Sequence, residues 1–264
     1  MRAVKVPARA ALEWLTGGAA LLKRERERWL GSALVYLIGA AALHRLPFLG
    51  DLVLILLTPL ALGSLLLVAE HETVPPPVAL ERANWRALLH AYLVQPLRPL
   101  LRIVHDPERL LPALMLSILV LGGVVAAQII GYLLIGGSPL GGINAAALAG
   151  GGRPGLLLAL LVVLLLYLLL TMALFYSVPL CVLHGLTPPA ALFESFRAGA
   201  RNALPLALFS AAFFVPYALI AKAFQLSRFL GYPLLFTLGT VTLALFLAAA
   251  YRSYQALYTR PAAA

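Results

Sequence analysis

Two residues within the apolar stretches of this sequence could do chemistry. Gln128 is the most polar side chain deep in an apolar run, and Pro59 lies in the middle of another. An amide can line a solute path, and a proline frees a backbone carbonyl that can coordinate a solute. The alternative for both is structural, because amides bond across membrane helices and prolines are common within them. The sequence leaves both interpretations open.

Other reactive residue types lack the spacing that catalysis or metal binding needs. The five histidines show no metal-ligand spacing, and one cysteine, Cys181, cannot form an intrachain disulfide or a multi-cysteine metal site. Ser195 lacks the flanking glycines of a hydrolase nucleophile elbow, and no phosphate-binding glycine loop occurs. Asp51 precedes an apolar run, where an aspartate serves as a helix cap. The sequence therefore predicts no enzyme activity and no cofactor.

The elements that carry these residues are apolar enough to cross a membrane. Residues 110–152 and 154–193 contain no Asp, Glu, Lys or Arg, and the chain is 62% hydrophobic but only 11% charged. A span needs ~20 apolar residues, and a soluble chain carries about 25% charged residues. We predict an all-α, polytopic membrane protein with six transmembrane helices, at residues 29–46, 52–69, 110–135, 156–184, 203–221 and 229–251.

The distribution of basic residues predicts the orientation. Sixteen Lys and Arg residues fall on one side of the six spans and four on the other, and the richer side faces the cytoplasm. This places residues 1–28 and the tail 252–264 in the cytoplasm, on either side of a membrane domain at residues 29–251. Because the basic residues flank spans, the net charge of +10 predicts anionic lipid headgroups, and not nucleic acid, as the partner. The predicted location is a bacterial inner membrane.

Amphipathic helices are predicted on the cytoplasmic side. The clearest precedes the third span, where apolar residues recur at helical spacing from Trp85 to Leu93 and Arg82 and Arg86 lie on the opposite face. Pro96 and Pro99 are expected to end it.

Two further segments have the same character. Before the first span, an apolar stripe is formed by Leu12, Leu15, Ala19 and Leu22. Before the fifth, Thr187 is a predicted N-cap, and Arg197 and Arg201 share one face. We expect Arg82, Arg86, Arg197 and Arg201 to contact lipid headgroups.

Small residues spaced by four predict where spans pack closely. One stripe on the third span consists of Gly123, Ala127 and Gly131, and one on the sixth consists of Thr240, Ala244 and Ala248. Since six spans must first pack among themselves, the partner helix is expected within the same chain.

Four stretches together resemble a known family: residues 6–9 with Trp14-Leu15, then 46–50, 191–202 and 250–254. They resemble a proteobacterial family of six-span inner-membrane proteins known by a BPSS locus-tag name, which has no assigned activity or site residues to carry over. A fainter likeness is to the membrane domain of bacterial glycerophosphodiester phosphodiesterases. Their catalytic domain has no counterpart in this sequence, so that likeness implies no hydrolase activity.

Two functions follow as expectations. The first is a non-enzymatic integral inner-membrane protein that acts through lipid or partner-helix contacts in the envelope, as a homo-oligomer or with a membrane partner. The alternative is a small transporter or permease with a path near Gln128 and Pro59.

Overall fold

The computed structural model describes residues 3–46, 49–71, 84–135 and 154–258, and these residues form helices and short connections without a strand. The fold class was therefore predicted correctly as all-α. In chain order the helices are α1 (Ala10–Arg24), α2 (Arg26–Leu43), α3 (Leu49–His71), α4 (Trp85–Leu89), α5 (Gln95–Val104), α6 (Pro107–Ile135), α7 (Pro154–Phe175), α8 (Ser177–Val182), α9 (Pro188–Arg201), α10 (Ala203–Ala211), α11 (Phe214–Leu226), α12 (Arg228–Leu234) and α13 (Thr240–Tyr258). Two π turns, His90–Val94 and Leu235–Gly239, join α4 to α5 and α12 to α13.

Four stretches of the described chain are long and apolar enough to cross a membrane: Leu49–Glu70, Pro107–Gly131, Leu161–Val182 and Arg228–Tyr258. A fifth would be the pair α10 and α11, which bends by 41°. The helix of the first predicted span, α2, is not among them, because Arg26, Glu27 and Arg28 lie within its 18 residues. The described part of the chain thus holds four segments, or five with the bent pair, that could each span a membrane, as in a multi-pass protein.

The first two helices meet at a buried carboxylate. The helix is interrupted between α1 and α2 at Glu25. The Glu25 side chain is 4% exposed and pairs with Arg24 at 2.7 Å and Arg28 at 2.8 Å. This pairing stabilises a buried charge that would otherwise be costly. Of its two partners, Arg28 is 9% exposed and Arg24 is 73% exposed.

Helix α1 packs along α13 through a face that differs from the predicted stripe. Trp14, Gly18 and Leu21 are buried, whereas Leu12 is 66% exposed. A Cβ atom on Gly18 would lie 2.6 Å from the backbone of Ala249. The apolar periodicity predicted the helix correctly, but it could not show that Gly18 allows the close approach of α1 to α13.

The segment before α6 also differs from the prediction. Pro96 and Pro99 do not end the helix there, since it passes through the π turn at His90–Val94 and continues as α5 to Val104. Gly31 of α2 makes room for this irregular backbone, because a Cβ there would lie 2.7 Å from Pro96 and 3.0 Å from the Tyr92 carbonyl oxygen. A proline within a helix leaves the carbonyl four residues earlier unpaired, and for Pro96 that carbonyl is the one beside Gly31.

Candidate functional site: a polar cluster around the last helix

Four buried tyrosines converge where α13 ends. Tyr251, Tyr254 and Tyr258 recur at helical spacing on α13, and Tyr176 joins them from the break between α7 and α8. The ring centroids of Tyr254 and Tyr258 lie 5.6 Å apart and those of Tyr176 and Tyr258 5.8 Å apart. We call Tyr176, Tyr251, Tyr254 and Tyr258 the tyrosine cluster.

Each hydroxyl of the tyrosine cluster bonds to a different partner. Tyr176 donates to Ser253 at 3.1 Å, Tyr251 donates to the carboxylate of Glu70, Tyr254 shares a hydrogen bond with Nε2 of His184, and Tyr258 donates to the Glu194 carbonyl oxygen at 3.4 Å. These bonds tie α13 to α3, to the loop after α8 and to α9. Amphipathic rings of this kind suit a boundary between apolar and wet surroundings.

His184 lies two residues beyond the end of the apolar stretch Leu161–Val182. Burial lowers the pKa of His184, and the carboxylate of Glu70 opposes this effect. The neutral imidazole is therefore favoured. Nε2 of a neutral imidazole can accept a hydrogen bond from the phenol of Tyr254, so this contact is consistent with a structural role.

The hydroxyl of Ser195 bridges two backbone groups where α7 is interrupted before α8. Its hydroxyl accepts a hydrogen bond from the Tyr176 N–H at 2.9 Å and donates to the Met172 carbonyl oxygen at 2.9 Å. These two backbone groups would bond directly in a regular helix. Ser195 is fully buried, so its hydroxyl bridges the break between α7 and α8 and is not presented to a substrate.

Asn202 holds the N-terminal residues in an extended conformation. Its Oδ1 accepts from the Val6 N–H at 2.9 Å, and its Nδ2 donates to the Val4 carbonyl oxygen at 3.1 Å. The Val4 N–H in turn donates to the Leu257 carbonyl oxygen at 3.1 Å. We call these three bonds the Asn202 clamp; it joins the start of the chain to α9 and α13.

Sequence reasoning missed the tyrosine cluster and the Asn202 clamp. Their partners are far apart in the chain, up to 198 residues for Val4 and Asn202, so no local periodicity marks them. One signal was available, because Val6, Ser195, Asn202 and Tyr254 all belong to the stretches that resemble the six-span family. Motifs that read as separate helix boundaries in the sequence meet at one end of the bundle.

The predicted packing stripes lie at contacts between helices. A Cβ on Gly123 would lie 2.9 Å from a methyl group of Leu170, and one on Gly131 3.3 Å from Val163, so both glycines face α7. Ala127 between them is 5% exposed. On α13 the residues Thr240, Ala244 and Ala248 are buried as well.

The structure does not bring Gln128 and Pro59 together. Ser117 of α6 donates a hydrogen bond to the Leu56 carbonyl oxygen of α3 at 2.8 Å. Pro59 is three residues after Leu56, so it lies within one helical turn of the position opposite Ser117. Gln128 is eleven residues beyond Ser117, or about 16 Å along the helix, and its side chain is exposed. Pro59 is buried. The two residues therefore do not line a common path.

The basic residues predicted to contact lipid lie on different helices. The Arg86 guanidinium is 5.4 Å from the ring centre of Trp85, Arg197 pairs with Glu194 at 3.7 Å, and Arg201 is exposed. Arg82 lies outside the described residues. Within the described ranges, no group of three or more His, Cys, Asp or Glu side chains could hold a metal ion.

Comparison with protein-family models, curated proteins and solved structures gives no match to this chain. Its membership of the six-span family stays a prediction from the quoted stretches. Function must therefore be argued from the residues and their geometry.

Proposed function

We propose that this chain is a non-enzymatic, multi-pass protein of a bacterial inner membrane that binds anionic lipid headgroups through its interfacial helices. The proposal includes six crossings, with both termini in the cytoplasm. In support, the 18 residues of α2 would extend about 27 Å, close to the ~30 Å hydrocarbon thickness. Tyr36 of α2 bonds to Thr58 of α3 at 3.0 Å, as expected for a helical hairpin. The excess of 16 over four basic residues supports the orientation.

The observation that carries the lipid proposal is the exposed surface of α4 and α5. Trp85 is 65% exposed, Leu89 44% and Leu97 40%, and Arg86 and Arg98 are exposed beside them. Large apolar side chains next to cations suit the boundary between acyl chains and anionic headgroups. Arg86, held against the Trp85 ring, would present its charge at the depth where an indole ring prefers to lie.

Helix α9 offers a second surface with the same chemistry. Phe193 is 64% exposed, and Arg197 and Arg201 follow it at intervals of four. The opposite face of α9 is buried through Ala191, Ser195 and Ala198. Helix α9 is thus fixed by its inner face, while its outer face carries two arginines and an aromatic ring.

The test compares lipid retention by the purified full-length chain. Native mass spectrometry in mixed micelles of phosphatidylglycerol and phosphatidylcholine should show a preference for phosphatidylglycerol. Replacing Arg86, Arg197 and Arg201 with Gln should remove most of that preference. The control replaces Lys222 and Arg228 with Gln, since both are exposed and belong to the side predicted to be poor in basic residues. Equal loss in both variants, or no preference in the parent, would reject the proposal.

The orientation is tested separately. Reporter fusions after residue 264 and within residues 136–152 should give cytoplasmic and periplasmic signals respectively. Signals on the same side would reject the three crossings proposed between the two fusion sites, and reversed signals would reject the orientation.

A further inference from the structure

The π turn at His90–Val94 brings a histidine and an arginine together on the exposed surface of α4 and α5. Nε2 of His90 lies 3.3 Å from a terminal guanidinium nitrogen of Arg98, and both side chains are exposed. In a regular α-helix, residues at this separation in sequence would lie about 12 Å apart along the axis. A π turn places more residues in each turn, and helix side chains tilt towards the N-terminus, so Arg98 can reach back to His90.

The hydrogen-bonding roles in this contact follow from the two functional groups. A guanidinium has only N–H donors, so Nε2 of His90 must accept, and the ring is neutral with its proton on Nδ1. A neutral imidazole does not compensate the charge of Arg98. Among the residues that the structure describes, no carboxylate pairs with Arg98 either. The surface therefore presents a cationic donor directly beside a neutral acceptor.

The surrounding sequence favours an anion at this position. Residues 82–105 contain four arginines and two histidines but no Asp or Glu. Val94 and Leu97 are 46% and 40% exposed, so the pair borders an apolar surface that suits acyl chains. An anionic lipid headgroup matches both features, whereas a free anion matches only the charge.

We infer that the His90–Arg98 pair is a headgroup site for a lipid that ends in a phosphomonoester, such as phosphatidic acid. The inference rests on the proposed function, because it assigns a headgroup class to the surface of α4 and α5. The monoanion of a phosphomonoester has an anionic oxygen that accepts from Arg98 and a P–OH group that donates to Nε2 of His90. In the complex this one proton lies on the phosphate oxygen or on Nε2, and the composition is the same in both forms.

The same geometry disfavours a phosphodiester. The phosphate of a diester has acceptor oxygens and no P–OH group, so it can bind Arg98 but leaves Nε2 of His90 without a donor. The matched lipid is phosphatidylmethanol, because its methyl ester adds no hydroxyl that could take the place of the P–OH group. Discrimination between these two lipids therefore reports on the acceptor at His90 and not on the guanidinium alone.

The experiment measures lipid retention by the purified full-length chain with native mass spectrometry. The micelles contain equal amounts of phosphatidic acid, phosphatidylmethanol and phosphatidylcholine with identical acyl chains. The pH is about 7, where a phosphomonoester is only partly in its doubly charged form. The parent should retain phosphatidic acid about fivefold better than phosphatidylmethanol, as expected for one additional hydrogen bond.

Three substitutions separate the hydrogen bond from the charge. His90→Phe removes the acceptor of a neutral ring, so retention of phosphatidic acid should fall to that of phosphatidylmethanol. Arg98→Gln should lower the retention of both acidic lipids and remove the preference between them. The matched control is Arg86→Gln, which removes the same charge from the same surface outside the pair. It should lower the retention of both acidic lipids alike and keep the ratio of the parent. All three side chains are exposed, so thermal unfolding should match that of the parent.

The outcomes distinguish this inference from the proposed function. Equal retention of phosphatidic acid and phosphatidylmethanol by the parent, or a preference that His90→Phe leaves unchanged, would overturn the inference. If the parent retained phosphatidylmethanol no better than phosphatidylcholine, the general preference for anionic lipids would fail instead. Glycerol 3-phosphate in excess carries the same phosphate without acyl chains and should not displace the lipid. Its displacement of phosphatidic acid would overturn the assignment of the site to a lipid.

Discussion

Two glycine contacts in this bundle are alike in sequence but differ in what opposes the glycine. At the α1–α13 contact, the position of a Cβ on Gly18 is 2.6 Å from the N, Cα and Cβ atoms of Ala249. At the α6–α7 contact, a Cβ on Gly123 would meet only the end of the Leu170 side chain, at 2.9 Å. A side-chain tip can rotate away, whereas a helix backbone cannot.

The difference shows where the molecule is rigid. Between membrane helices the hydrophobic effect gives little drive for association, so close packing and hydrogen bonds determine how firmly helices are held. The α1–α13 region has backbone contact, the Asn202 clamp and the tyrosine cluster. The described contacts between α6 and α7 depend on small residues facing single side chains. We therefore expect substitutions in the first region to be strongly destabilising, and the second region to accommodate them by side-chain movement.

The largest effect is expected at Gly18. Gly18→Ala would force α1 away from Ala249, at a cost of about 3 kcal/mol, the upper end of the range for overpacking. Thermal unfolding of the full chain in detergent would measure the loss. The matched control is Gly17→Ala, because the added methyl would meet only the flexible side chain of Arg252 at 3.2 Å. It should be neutral or stabilising by up to ~1 kcal/mol through helix propensity, and similar melting of both variants would contradict the backbone contact.

The Asn202 clamp should come second. Asn202→Ala removes both side-chain bonds to the N-terminal residues and leaves partly buried backbone groups unpaired, so about 1–3 kcal/mol should be lost. The same change should release the backbone on either side of Lys5, and trypsin should then cleave there faster than in the parent. Asn202→Asp keeps the acceptor for Val6 but loses the donor for Val4, so its cleavage rate should be intermediate. Unchanged cleavage in both variants would show that the clamp does not hold the N-terminal residues.

The sequence could predict the parts of this fold that depend on composition and local spacing. The runs that form α3, α6 and the last long helix were recognisable because uncharged stretches of that length have few other uses. The Gly123 and Ala244 stripes were recognisable from their spacing of four. In contrast, the first span was predicted at residues 29–46, whereas α2 begins at Arg26 and has three charged residues in its first turn, of which Arg28 pairs with Glu25.

The candidate site could not be predicted for a different reason. Asn202, Ser195 and Tyr254 act on backbone groups or side chains that are distant in the chain, and a hydrogen bond of that kind leaves no periodic signal. The helix that continues from α4 through Pro96 and Pro99 into α5 could not be predicted from its own sequence either, because Gly31 of another helix makes room for it. Tertiary contacts therefore decided the features that propensity rules misplaced.

At the α6–α7 contact the expected effect is small. Gly123→Ala should change the free energy of unfolding by less than about 1 kcal/mol, because a rotation of Leu170 relieves the contact and alanine favours the helix. Adding Leu170→Ala should remove the remaining penalty for the methyl group at position 123. A loss at Gly123→Ala as large as that at Gly18→Ala would contradict the distinction between the two regions.

The smallest effect concerns pH at the tyrosine cluster. Because burial lowers the pKa of His184 in the folded chain, protonation favours the unfolded chain, whose histidine titrates near pH ~6.5. The contribution of neutral His184 to stability should be fully present above that pH and should decline as the pH falls below it towards the lower folded pKa. Thermal unfolding at several pH values in detergent should show this decline in the parent, and a weaker one in His184→Gln, whose amide oxygen can still accept from Tyr254. His44→Gln is the control, because His44 is exposed in its pair with Asp51 and lies at the C-terminal end of α2, outside the tyrosine cluster. A pH dependence that is the same in the parent and His184→Gln would show that this part of the rigid region is insensitive to the charge on His184.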